Sequence, residues 1–140
     1  MQQRDEDKLQ AALWELIQLR KHPGVLAWAV CNNPRNVIDG ARNKRMGMLP
    51  GVPDLHFLAN GRYHTLEVKT KSGRMSDHQI AWMNNLNAAG AIADVGHGWD
   101  ECVHILKVRN LIKPGMYGRF HTAWGVGETG PKAVSADPRS

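Results

Sequence analysis

Cysteine is scarce in this chain, with Cys31 and Cys102 the only two. Both lie in apolar sequence surroundings and read as buried thiols rather than a bridge, which excludes a disulfide-stapled secreted scaffold. No apolar run approaches the roughly 18 residues of a membrane-spanning helix, and the N-terminus is polar and charged. Neither a spanning helix nor a signal peptide is therefore expected, and the reading is a soluble, cytoplasmic protein without membrane attachment. Structural zinc is also excluded, because His97, Cys102 and His104 fall short of a four-ligand set in number and spacing. There is no internal repeat. Acidic residues are the minority, 13 against 18 Lys and Arg, for a net charge of +5 and a pI near 9.5. That balance suits a polyanionic partner, with an acidic membrane surface as the competing possibility. At 140 residues the chain is one compact domain at most, large enough to bury a core unaided.

What is present centres on Pro50 to Lys71, PGVPDLHFLANGRYHTLEVKTK. Two runs rich in strand formers, Leu55 to Ala59 and Tyr63 to Val68, flank Asn60-Gly61, the dipeptide that best supplies the positive φ angles of a type I′ turn. If Ala59 pairs with Arg62, then Leu58 faces Tyr63, His56 faces Thr65 and Asp54 faces Glu67. A G1-bulge form of the turn would offset this register locally. Opposed carboxylates repel, so a cation belongs between them. Lys69 projects from the same face two residues beyond Glu67, because strand side chains alternate. A hard divalent cation such as Mg²⁺, which binds through one or two carboxylates, waters and a substrate phosphate, would reconcile these charges. The bland alternative is an exposed, salt-bridged hairpin end.

Pro53-Asp54 followed by Glu67-Val68-Lys69 resembles the PD-(D/E)XK nuclease signature, and the wider context resembles its VRR-NUC branch, the virus-type replication-repair nucleases. Gly51-Val52-Pro53-Asp54-Leu55, Leu66-Glu67-Val68-Lys69, Gly73, Ser76, Gln79, Trp82, Leu86 and Gly90 carry the likeness, which covers roughly residues 5 to 112. The resemblance implies a restriction-endonuclease-like α/β core, with a mixed four-stranded sheet flanked by helices, and a nuclease domain over 1–112. A C-terminal extension over 113–140 is expected to be partly disordered, with Tyr117, Phe120 and Trp124 available to dock it. It further implies Asp54, Glu67, Lys69 and Gln79 as catalytic residues. Metal would be held by Asp54, Glu67 and the Val68 backbone carbonyl, supported by an acidic residue of the first helix, Glu6 or, in competition, Glu15. The implied setting is a bacterial or phage-infected cell, and the cofactor Mg²⁺ with Mn²⁺ as substitute.

Along the chain, Leu9, Ala12, Leu13, Leu16 and Ile17 recur at helical spacing until Pro23-Gly24 stops them. The continuous apolar run Val25 to Cys31 predicts a strand beside the hairpin, covered on both faces. Asn32 to Gly51 reads as a long connection whose Arg35, Arg42, Lys44 and Arg45 could grip a phosphate backbone. Lys71 and Arg74 add two cations in the turn after the hairpin. Ser76-Asp77-His78-Gln79 has capping-box spacing, so Gln79 has a structural reading beside the catalytic one. The helix it opens runs to Ala89, with Gly90 ending it. A short strand, Ala91 to Val95, and a last helix capped by Asp100 complete the pattern, with Trp82 and Trp99 read as packing residues. The expected function is metal-dependent hydrolysis of DNA, with branched or junction DNA favoured by the resemblance and a homodimer following from the symmetry of such a substrate. A nonspecific or restriction-type duplex endonuclease is the alternative enzyme. A catalytically silent DNA-binding or phage-assembly subunit is the alternative class.

Overall fold

The computed structural model describes residues 2–30 and 37–118. Helix α1 spans Gln2–Arg20 and buries Leu9, Ala12, Leu13, Leu16 and Ile17, the stripe expected from the spacing. Strand β1, Leu26–Ala29, follows the Pro23-Gly24 stop. It is an edge strand, and Leu26 and Trp28 are exposed, so the expectation of cover on both faces fails. An apolar run cannot report which flank of a sheet its strand will occupy. The connection from β1 to the hairpin also holds a helix, α2, Val37–Arg45, where an irregular loop was expected.

Strands β2, Leu55–Ala59, and β3, Arg62–Lys69, form the hairpin. Asn60 and Gly61 have φ of 53° and 72°, as a type I′ turn requires. The register is the one derived from that turn, with Ala59 opposite Arg62, His56 opposite Thr65 and Leu55 opposite Leu66. The bulged form is not adopted. Helix α3, Asp77–Ala88, opens on the expected capping box at Ser76. Strand β4, Ile92–His97, returns parallel to β3, making a β3-α3-β4 crossover. Helix α4, Trp99–Val108, starts two residues earlier than expected: Gly98 is its N-cap, and Asp100 lies inside the first turn.

The sheet order is β1-β2-β3-β4, antiparallel except for the last pair, with the hairpin in the centre. This is the mixed four-stranded α/β architecture anticipated. One face carries Leu55, Phe57, Ala59, Leu66 and Val68 into a core shared with α1 and α4. Trp99 packs there too, and the core reaches Tyr117, whose hydroxyl accepts from Arg20 Nε at 2.9 Å. Phe120 and Trp124 lie outside the described residues, as does Cys31, while Cys102 is a buried free thiol. The other face is covered mainly beside β4, where Asn87 of α3 bonds both the N–H and the C=O of Ala93. Trp82 on α3 is half-buried.

Candidate active site

The register places Asp54 one step beyond the Leu55–Leu66 pair, opposite Glu67. Its main-chain oxygen accepts from Val30 N at 3.0 Å, which extends the β1–β2 ladder through it. Its carboxylate Oδ2 accepts from Val68 N at 2.9 Å, so the side chain reaches across to β3. In an extended strand the N–H and C=O of one residue leave on the same side. The Val68 carbonyl therefore faces the Asp54 side, while the Lys69 carbonyl, bonded by Gly98 N at 2.7 Å, faces β4.

Glu67 and Lys69 are both buried. Lys69 Nζ lies 3.6 Å from Glu67 Oε2 and 3.9 Å from Glu6 Oε1, so α1 contributes a carboxylate to the cluster. Glu15 is exposed and does not compete for that role. Gln79 makes the expected capping box and, in addition, a bond to Glu67. Its Oε1 accepts from Ser76 N at 2.8 Å in the capping box, and its Nε2 donates to Glu67 Oε2 at 2.8 Å. The loop that delivers Asp54 is seated against α3 at Gly51, where φ is 87° and an added Cβ would sit 2.6 Å from His78 backbone. A cleft of about 340 Å³ opens over these groups, lined by Glu6, Asp54, Glu67, His78 and Gln79 among others.

The basic residues distribute less tightly. Arg42, Lys44 and Arg45 are exposed on α2, and Lys71 and Arg74 are exposed in the turn after β3. Arg35 lies outside the described residues. Sequence reasoning passed over His56, Tyr63 and Trp28, which form a ring cluster on the sheet face of Asp54. The signal that could have found part of it is the derived hairpin register, which gives His56 and Tyr63 matching parity on neighbouring strands; the β1 register that brings in Trp28 had no such signal.

Electrostatics favour an additional cation. Burial, then the charge of Asp54, pushes the Glu67 carboxyl up to about 8 despite Lys69. Burial also raises Asp54, partly offset by the Val68 N–H. Without metal, a proton on Glu67 is thus held against the Asp54 carboxylate at neutral pH. Glu67 Oε1 is buried and has no hydrogen-bond partner with both groups ionised. Such an orphaned anionic oxygen facing a second carboxylate fits a hard divalent cation. Among the described residues no group of three or more His, Cys, Asp or Glu could chelate a metal. The donors here suit Mg²⁺, which keeps several waters and takes few protein ligands, and not a softer metal in a closed cage.

The order of strands, the crossover helix and the acidic pair with its lysine define a nuclease core of the PD-(D/E)XK kind. Within that class, the sequence profile of the VRR-NUC domain matches residues 4–100, and the chain belongs to this nuclease family. A solved structure of a "VRR_NUC domain protein" superposes with a TM-score of 0.60, at 22% identity, over 74% of this chain and 85% of that one, and so shares the fold. A search of curated proteins finds no match. Among the described residues no helix is long and apolar enough to cross a membrane.

Proposed function

We propose that this nuclease is a metal-dependent endonuclease that hydrolyses DNA phosphodiester bonds, acting on branched or junction DNA with Mg²⁺ or Mn²⁺. The observation that carries the reading is the opposed pair of half-buried Asp54 and buried Glu67, in which Glu67 Oε1 has no hydrogen-bond partner. Asp54, Glu67 and the Val68 carbonyl would hold the ion, which when bound lowers the pKa of its water and neutralises charge on the phosphoryl group. Lys69, paired with Glu67 and Glu6, would orient an attacking water or meet the charge that develops on phosphate oxygens. Gln79 fixes the Glu67 carboxylate from the start of α3. Arg42, Lys44, Arg45, Lys71 and Arg74 supply cations for the phosphate backbone, which sets affinity and salt dependence without reading sequence. A four-way junction presents two equivalent scissile bonds, and one chain carries one acidic pair, so a two-fold homodimer is part of the proposal.

The test sets wild type beside Asp54→Asn and Lys69→Ala on plasmid, single strands and a synthetic junction, with Mg²⁺, Mn²⁺ or EDTA. Expected is junction cleavage that needs metal and falls about 10³-fold in Asp54→Asn. Cleavage that survives EDTA or both substitutions overturns the mechanism. Equal cutting of plain duplex replaces the junction substrate with a nonspecific one, and binding without cleavage points to a silent module.

A further inference from the structure

Asp54 is held on one side only by the sheet. Its own carbonyl is fixed by Val30 N–H, but the peptide plane before it, Pro53–Asp54, lies outside the ladder that begins at Leu55. The orientation of that plane sets φ at Asp54 and hence the direction of its carboxylate, because a planar peptide leaves only two soft angles per residue. The Pro53 carbonyl is not left loose: His56 Nε2 lies 2.8 Å from it. A carbonyl oxygen only accepts, so Nε2 carries the proton. With the proton on Nε2, Nδ1 is the acceptor for the ring's other partner, the Tyr63 hydroxyl. Trp28 closes over both rings, with centroids 5.9 Å from His56 and 6.2 Å from Tyr63 and planes inclined by 18°. His56 is buried, although its neighbour in register, Trp28, is substantially exposed.

We propose that His56 is a positioning residue for Asp54: the chain Tyr63 O–H to His56 to the Pro53 carbonyl fixes the peptide that aims the carboxylate at Val68 N–H and the metal site. Nothing in the PD-(D/E)XK signature assigns position 56. The relay spans the hairpin: Tyr63 sits opposite Leu58 on β3, two residues past the turn, and His56 sits two residues along from Asp54 on β2. Hairpin register and carboxylate aim are thereby tied together. Its consequence for catalysis rests on Asp54 acting as a metal ligand, but the positioning itself has a readout that needs neither metal nor DNA.

That readout is hydrogen exchange of the Val68 amide, which donates to Asp54 Oδ2 at 2.9 Å. The variants are His56→Leu, His56→Gln and Tyr63→Phe in the full chain, by NMR without metal, with the Leu106 amide of α4 as a control. A glutamine amide nitrogen can stand where Nε2 stands, whereas leucine fills the volume without a donor. Expected is about a tenfold loss of Val68 protection in His56→Leu, a loss within about threefold in His56→Gln, and an intermediate loss in Tyr63→Phe, with Leu106 unchanged. Mn²⁺ affinity measured by calorimetry should fall in the same order. Leucine and glutamine behaving alike, or Val68 protection unchanged in His56→Leu, overturns the proposal. If His56→Leu does not fold, Tyr63→Phe with normal Val68 protection overturns it equally. A wild type that takes up no Mn²⁺ and cuts nothing defeats the proposed function, while the Val68 measurement still decides the role of His56.

Discussion

Strand β3 offers two faces that are equally buried and chemically opposite. Leu66 and Val68 enter an apolar core against α1 and α4, while Thr65, Glu67 and Lys69, alternating with them, are buried among charges and polar side chains. Burying Leu66 is favourable by itself, at roughly 25 cal/mol per Å² of apolar surface removed from water. Burying Glu67 opposes folding unless a partner compensates it, and its raised pKa shows that Lys69 and Gln79 compensate only in part. One face of the strand is spent on stability and the other on a site that the metal-free protein holds at a cost.

The sharpest break of this comparison substitutes adjacent residues. Glu67→Gln should cost about 10³-fold in cleavage while leaving metal-free stability at pH 8 unchanged or raised. Leu66→Ala should instead destabilise by about 2–5 kcal/mol, with near-normal cleavage per folded molecule. Paired denaturation curves and initial rates decide it, and equal losses of both kinds in both variants would erase the distinction between the faces.

A pH series sharpens the same contrast. The folded pKa of Glu67 is about 8 against an ordinary 4.5, so the native state binds the proton more tightly than the unfolded chain. Metal-free stability from this group is fully present below about pH 4.5 and is lost as pH rises to about 8, on the order of a few kcal/mol. Metal must displace that proton, so Mn²⁺ uptake at pH 7 should release protons, visible as a buffer-dependent enthalpy. In Glu67→Gln the falling limb should flatten.

The smallest expected effect separates the two jobs of Gln79. Gln79→Ala should lose the cap, about 1 kcal/mol, and also reduce cleavage about 10–100-fold through the freed Glu67 carboxylate. Ser76→Ala removes the same cap and should show the stability loss alone. Matching activities in the two variants would mean that the Gln79–Glu67 bond does nothing for catalysis.

Most of this contrast was readable from residue order because it rests on local rules. Asn60-Gly61 dictates the turn, the turn dictates parity, and parity puts Asp54, Glu67 and Lys69 together; Ser76 and Gln79 announce the start of α3 in the same way. Most of the misses have two sources, weak local signal and non-local contact. Helix α2, VIDGARNKR, carries a glycine and a β-branched start that argue weakly for helix, so it reads as loop. The apolar β1 run says nothing about lying at an edge, and because α1 and β3 are distant in sequence no periodicity reports the Lys69–Glu6 ion pair, so Glu6 was reachable only through the family resemblance. The His56–Tyr63 bond was hidden by a different cause: histidine in a strand has too many possible partners for sequence to choose among them.

The contact at Gly51 bears on how such a cleft can evolve. With an added Cβ only 2.6 Å from the His78 backbone, even alanine would wedge the Asp54 loop away from the helix that carries Gln79. The segments that carry Asp54 and Gln79, separate in the chain, thus behave as one mechanical part, and insertions should be better tolerated on the α2 side of the loop than at this joint.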